Sequence, residues 1–202
     1  MKSSSPKQNQ SDMPEKPHVC PWWVGYFLLI PFRRILQNPD KILDPYVREG
    51  MTVLEVGPGM GYFTLTLARL VGRHGRVVCI DAQEEMLNSL RKRARRAGLF
   101  ETIETRLASE SGLHIDELSG SVDFLLAFAV VHEVPDREQL FKELHRALKP
   151  GGRMLLSEPR GHVTEREFND TLSVAMKAGF ESVERLKIRR SYSVLMRKKP
   201  LG

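Results

Sequence analysis

Cysteine is almost absent from this chain of 202 residues, which has only Cys20 and Cys79. Two isolated thiols make neither a disulfide framework nor a zinc-ligand spacing, so no metal is expected and a reducing, cytoplasmic setting is. Cys79 lies in an apolar run and reads as a small buried hydrophobe. Long hydrophobic runs are also lacking. The first apolar stretch, Trp22 to Phe32, contains Gly25 and Pro31 and falls short of the roughly 20 residues that a spanning helix needs. Met1 to Lys16 is polar, rich in Ser, Gln and Pro, and has no apolar core of a secretory leader. It cannot bury enough surface to order itself, and residues 1–17 read as a disordered tail. A soluble protein with no membrane partner is the expectation. No internal repeat interrupts the chain.

What is present is the composition of one ordinary globular domain, 41% hydrophobic and 28% charged, large enough to stand on its core. The net charge is +6, so its distribution matters. Basic residues gather at Arg91-Lys92-Arg93-Ala94-Arg95-Arg96, at Lys187 to Arg190 and at Arg197 to Lys199. On a helix the first run would flank an apolar stripe and face water. No aromatic side chains are interleaved with it, as a platform for single-stranded nucleic acid requires, so no nucleic-acid partner is expected.

From residue 49 onward, short β-type runs alternate with helical patterns, which predicts an α/β fold around a parallel sheet. Thr52 to Val56 reads as a buried first strand, followed by a helix over 61–71 with Gly72 just beyond it. Arg76 to Ile80 is the second strand, closing at Asp81. A helix carrying Met86, Leu87, Leu90, Ala94 and Ala97 stops at Gly98, and Ile103 to Leu107 is the third strand. Val122 to Val131 has the continuous apolar character of a strand buried on both faces. Asp136 caps the next helix, and Lys149-Pro150-Gly151-Gly152 turns into a fifth strand, Arg153 to Ser157. Thr164-Glu165-Arg166-Glu167 is a capping box opening a helix that Gly179 ends. Ser182 to Ile188 and Tyr192 to Arg197 leave no room for a helix between them and are predicted to pair antiparallel.

The segment 18–50 shows no strand alternation. Asn38-Pro39 has the form of an N-cap and an N1 proline opening a short helix before Pro45. The segment is read as a helical cap over the carboxyl edge of the sheet, and 51–202 as the main domain.

In a doubly wound sheet, ligands bind at the carboxyl ends of the strands, at the topological switch point. Gly57-Pro58-Gly59-Met60-Gly61 falls there, and glycines let the backbone approach a ligand closely. Asp81, at the end of the second strand, can accept hydrogen bonds from both hydroxyls of a ribose. Glu55 stands two residues before Gly57 in an otherwise apolar strand, and a buried carboxylate needs a partner. Two kinds are open: the α-ammonium group of a ligand, directly or through water, or a group of the protein, either an internal Arg or the following helix. A dinucleotide fingerprint would place its third glycine at position 62, which is Tyr62. That departure, together with an acid that would repel a pyrophosphate, favours a cationic ligand without phosphate.

Leu54-Glu55-Val56-Gly57-Pro58-Gly59-Met60-Gly61 resembles motif I of the class I S-adenosylmethionine-dependent methyltransferases. Leu148-Lys149-Pro150-Gly151-Gly152 resembles the turn before their fifth strand. Over about residues 50 to 202 the chain is similar to the small-molecule methyltransferases of the ubiquinone/menaquinone-biosynthesis type. The resemblance implies a Rossmann-like seven-stranded sheet with an antiparallel last strand, S-adenosylmethionine as cofactor and S-adenosylhomocysteine as product. It implies that Asp81 holds the ribose, Ala82 the adenine edge, and Phe128 and Ala129 the methionine end. The chain departs from the pattern after the third strand: many relatives carry an Asp there for the adenine amino group, and here Ser109 stands in Leu107-Ala108-Ser109-Glu110.

Methyl transfer needs alignment and exclusion of water, with a base only where the nucleophile is protonated. His132 and Glu133, just past the fourth strand, are the candidates for contact with a small-molecule acceptor; for His132 a purely structural loop role is equally open. His162 is a further loop residue near that edge. The loop Val131-His132-Glu133-Val134-Pro135 differs from those of nucleic-acid amino-methylating enzymes, and no Cys lies near it to serve as the nucleophile of cytosine methylation. Cys20, Trp22, Trp23 and Phe27 either fasten the cap or form an aromatic lid. An RNA- or protein-directed methyltransferase and a non-catalytic binding module remain the alternatives; the acceptor atom and the oligomeric state are not encoded legibly.

Overall fold

The computed structural model describes residues 37–109 and 111–199. Cys20, Trp22, Trp23 and Phe27, and most of the expected cap, lie outside the described residues. Helix α1 (Pro39–Leu43) forms as expected. Asn38 caps it, Oδ1 accepting from the amides of Asp40 at 3.0 Å and Lys41 at 3.4 Å, and Pro39 occupies the first turn, where its missing N–H costs nothing.

Seven strands follow: β1 (Thr52–Val56), β2 (Arg76–Asp81), β3 (Ile103–Leu107), β4 (Val122–Phe128), β5 (Leu148–Pro159), β6 (Phe180–Arg185) and β7 (Ser191–Lys198). They form one sheet in the order β3-β2-β1-β4-β5-β7-β6. Strands β1 to β5 run parallel, while β7 is antiparallel to both β5 and β6. The chain reverses its direction of winding between β1 and β4, which are neighbours in the sheet. That is the switch point at which such sheets open a crevice.

Helices α2 (Thr64–Val71), α3 (Glu84–Arg96), α4 (Arg137–Ala147) and α5 (Glu165–Lys177) cover the two faces. The two-residue period of the strands sorts their side chains between two cores. On one face Val53, Cys79, Phe124, Leu126 and Leu195 pack under Leu67 and Ala68 of α2 and Leu90 and Ala94 of α3. On the other, Leu54, Val78, Leu125, Leu156 and Met196 meet Phe141 and Leu144 of α4 and Phe168 and Leu172 of α5. Leu43 and Val47, at and after α1, join the first face. The described part of the segment 18–50 therefore packs on a face of the sheet.

Several boundaries differ from the sequence reading. The helix expected over 61–71 begins at Thr64, because Gly57, Gly59 and Gly61 all take positive φ, at +67°, +54° and +83°. The strand expected over 122–131 stops at Phe128: Ala129 has φ +59°, a left-handed conformation that ends a strand, and Val131–Glu133 forms a single 3₁₀ turn. Strand β5 runs beyond Arg153 to Ser157 at both ends, drawn out by pairing of Leu148 with Val122 and of Pro159 with Ser191. The capping box forms as predicted: the Glu167 amide donates to Thr164 Oγ1 at 3.2 Å, and the Thr164 amide donates to Glu167 Oε2 at 2.7 Å.

Candidate active site

The glycine-rich loop leaves β1 through a hydrogen bond from the Gly57 amide to the Ile80 carbonyl at 2.8 Å and turns on one from the Gly61 amide to the Pro58 carbonyl at 2.9 Å. Its three glycines answer to different demands. A Cβ on Gly57 would stand 2.4 Å from Val130 Cγ2, and one on Gly61 would stand 2.4 Å from Leu90 Cδ1 on α3. A Cβ on Gly59 would meet nothing within 4 Å. Gly57 and Gly61 thus permit close packing inside the protein, and Gly59 borders open space.

Asp81 ties this loop to the end of β2. Its Oδ2 accepts from the Gly59 amide at 3.1 Å and its Oδ1 from the Gln83 amide at 3.0 Å. Burial pushes its pKa up, against the amides of Gln83, Gly59 and Ala82. A carboxylate offers roughly four acceptor positions, so the amides orient Asp81 without exhausting it. Ala82, next along, is exposed. Ser109 is exposed too, but its hydroxyl is engaged in its own loop, 2.6 Å from His114 Nε2 and 2.9 Å from Ser111 Oγ.

Glu55 is buried beneath the loop, at 3% exposure. Of the partners left open by the sequence, the structure supplies one on the following helix: Thr64, the first residue of α2, donates its hydroxyl to Glu55 Oε2 at 2.6 Å. The Cys79 thiol approaches the same oxygen at 3.8 Å. Burial pushes the Glu55 pKa up to about 7, with the Thr64 and Cys79 contacts opposing the rise.

Across the switch point, Phe128 packs on Phe63 with ring centroids 4.4 Å apart, and the Ala129 amide donates to the Ser157 carbonyl at 2.7 Å. The 3₁₀ turn then presents His132 and Glu133. His132 Nδ1 lies 2.5 Å from Oε2 of Glu158, near the end of β5, and its Nε2 lies 3.8 Å from Glu133 Oε1. The His162 ring meets the His132 ring edge to face, centroids 5.3 Å apart. Glu158 is 2% exposed, and its Oε1 accepts from the Val131 amide at 2.8 Å. The hydrogen bond to Glu158 raises the His132 pKa above its ordinary 6.5, against the opposing effect of burial.

The methyltransferase domain family matches residues 54–156, just over half of the chain. The chain belongs to this family. Its sheet order, antiparallel β7 and glycine-rich loop are those of a class I S-adenosylmethionine-dependent methyltransferase, whose product from the cofactor is S-adenosylhomocysteine. Among curated proteins, this methyltransferase is 34% identical over 112 residues to the ubiquinone/menaquinone biosynthesis C-methyltransferase UbiE of Escherichia coli K12, a match covering 55% of this chain and 44% of that protein. It thus spans less than half the length of the curated relative. Among solved structures, an S-adenosylmethionine-dependent methyltransferase from Aquifex aeolicus superposes with a TM-score of 0.78 and 26% identity, over 88% of this chain and 98% of that one. An S-adenosylmethionine-dependent O-methyltransferase from Thermotoga maritima shares the fold, with a TM-score of 0.60 and 21% identity over 82% of this chain and 66% of its own.

The methyltransferase site contains groups that the sequence reading passed over. Glu158 is foremost; the available signal was a carboxylate between the apolar end of β5 and Pro159, where burial demands a partner. Arg93 is another. The run 91–96 does not simply face water: Arg93 donates to the Met60 carbonyl, and Arg91 donates to Thr105 Oγ1 at 2.7 Å and to Glu84. Lys92, Arg95 and Arg96 are exposed as expected. Arginine stems and forks can reach from a helix flank back onto a neighbouring loop, which periodicity does not register. Among the described residues no cluster of His, Cys, Asp and Glu is arranged to hold a metal, and no helix is long and apolar enough to cross a membrane.

Proposed function

We propose that this chain transfers a methyl group from S-adenosylmethionine to a small-molecule acceptor that approaches His132 and Glu133. The observation that carries this reading is the contact between Gly57 and Val130, which brings the glycine-rich loop after β1 against the His132 turn after β4. A ligand resting on the first loop would therefore have its reactive end beside the second.

The residues fit the cofactor. Gly59 leaves room above the loop, and Pro58 and Gly61 set its turn. Asp81 is a half-buried carboxylate whose charged form gains from hydroxyl donors, as a ribose would offer. Ala82 presents no bulk to an adenine edge, and Phe128 and Ala129 line the approach from β4. Glu55 underlies the loop, and its ionised form favours a cation over a phosphate. Ser109, drawn toward His114, reaches an adenine only by leaving that partner. When bound, the cofactor supplies a methyl group already activated on a sulfonium. The chain's own residues then have to hold the acceptor in line and keep water out.

A small acceptor is supported by the likeness to a C-methyltransferase of quinone biosynthesis. Arg91 and Arg93 are engaged within the protein, while Lys92, Arg95 and Arg96 stay exposed, and tight, salt-sensitive RNA binding would favour a nucleic-acid acceptor instead. On this reading 51–202 is the methyltransferase unit and 18–50 its cap, and the expected partner is a small-molecule acceptor.

Thermal denaturation with S-adenosylmethionine and S-adenosylhomocysteine tests the binding half, and stabilisation by both is expected. Release of S-adenosylhomocysteine across phenols, amines, thiols and metalloids tests the transfer. Binding without turnover of any acceptor would leave a cofactor-binding module, and no stabilisation at all would sink the proposal.

A further inference from the structure

We propose that Glu158 is a positioning residue, fixing His132 as the tautomer protonated on Nδ1 and leaving Nε2 as the base that takes the proton of an acceptor. This inference rests on the methyltransferase reading and adds to it the class of acceptor: one whose nucleophilic atom carries a dissociable proton, a hydroxyl in particular.

The geometry is that of an oriented base. A carboxylate only accepts hydrogen bonds, so at 2.5 Å the proton between Glu158 Oε2 and His132 Nδ1 belongs to the imidazole. Neutral imidazole has a single ring proton, which leaves the lone pair on Nε2. Glu158 is itself held, since the Val131 amide occupies Oε1 at 2.8 Å, and its side chain is 2% exposed. The carboxylate and the imidazole thus arrive from different elements, β5 and the turn after β4, and a backbone amide fixes the carboxylate. The second oxygen of Glu158 goes to the His132 ring rather than to another backbone donor.

The charged and titratable groups around His132 are Glu158 from β5, Glu133 on its own turn, Arg137 at the start of α4 and His162 in the loop after β5. Glu158 and Glu133 raise its pKa and Arg137 lowers it, with the net shift upward. A base with a raised pKa accepts a proton more readily once it is in its unprotonated form. As the bond from the acceptor atom to the methyl carbon forms and the S–CH3 bond breaks, its electron pair staying on sulfur, the acceptor proton passes to His132 Nε2 and later to solvent. Tertiary amines and preformed thiolates have no such proton to give and no use for this dyad.

Nitrogen-15 NMR of the ring of His132 in the whole protein decides the point without any acceptor. The expected result is an unprotonated Nε2 with its far downfield resonance, a protonated Nδ1, and a titration midpoint above 6.5. In Glu158→Gln the amide donates to Nδ1, so the tautomer should switch to protonated Nε2 and the midpoint should fall back toward 6.5. Stabilisation by S-adenosylhomocysteine, measured on the same samples, should persist. A wild-type His132 protonated on Nε2, or a midpoint unmoved by the substitution, overturns the inference. Should Glu158→Gln fail to fold, the wild-type spectrum still distinguishes the two tautomers. Loss of S-adenosylhomocysteine binding in the wild type would instead strike the methyltransferase reading, leaving the tautomer result intact.

Discussion

Gly57 and Val130 are packed so tightly that a Cβ on the glycine would lie 2.4 Å from Cγ2 of the valine. The contact joins the loop after β1 to the loop after β4, which on the proposed reading are the cofactor and acceptor sides of the site. Gly57→Ala combines an unfavourable φ of +67° with overpacking against Val130, and should cost about 2–4 kcal/mol. Gly59→Ala has only the backbone strain, about 1 kcal/mol, yet fills space that a ligand would occupy. Urea unfolding should rank Gly57→Ala as the less stable variant. Thermal shift should show that Gly59→Ala keeps the fold and loses the response to S-adenosylhomocysteine.

Asp81 should govern affinity as well as the fold of the loop. Asp81→Ala removes the acceptor for the Gly59 and Gln83 amides and for any ribose hydroxyl. Because hydrogen bonds to a charged group contribute about 1.5–3 kcal/mol each, calorimetry should record at least about a tenfold rise in the Kd for S-adenosylhomocysteine. An unchanged Kd would remove Asp81 from the site.

Glu55 predicts a pH dependence of stability. Its folded-state pKa of about 7 lies above its ordinary 4.5. Its contribution is therefore fully present below 4.5 and is lost as pH rises through about 7, by on the order of 3 kcal/mol. Glu55→Gln cannot titrate. Urea unfolding at about pH 5 and about pH 8 should show a larger fall for the wild type than for Glu55→Gln.

Thr164→Ala serves as a control remote from the site. Both halves of its capping box are formed, and loss of such a cap costs about 1 kcal/mol. The urea midpoint should drop, while stabilisation by S-adenosylhomocysteine stays as it was. A change in binding would mean that α5 communicates with the crevice.

Local rules explain what was legible in the sequence. The caps at Asn38, Asp136 and Thr164 all form, because a cap depends on residues within one turn. Strand β2 falls where its apolar run lies, β3 occupies Ile103–Leu107 as read, and the closing pair β6–β7 is antiparallel because no helix fits between its strands. The end of β4 was overrun for the same reason: Ala129 looks like any apolar strand residue, and only its hydrogen bond to Ser157 on β5 accompanies the turn to positive φ.

The sequence by itself therefore determined the order of elements, the doubly wound sheet and the placing of Gly57 to Gly61 and Asp81 at strand ends, all consequences of periodicity and turn chemistry over a few residues. Tertiary structure alone decided the partners. Thr64, rather than an arginine, answers Glu55; His114 draws in Ser109; Arg93 turns back onto Met60; and Glu158 meets His132. Apart from Ser109 and His114, which share one loop, these pairs join residues from different strands, helices and loops, and a polar group takes whichever complementary atom the fold delivers within about 3 Å, a choice that no local pattern records.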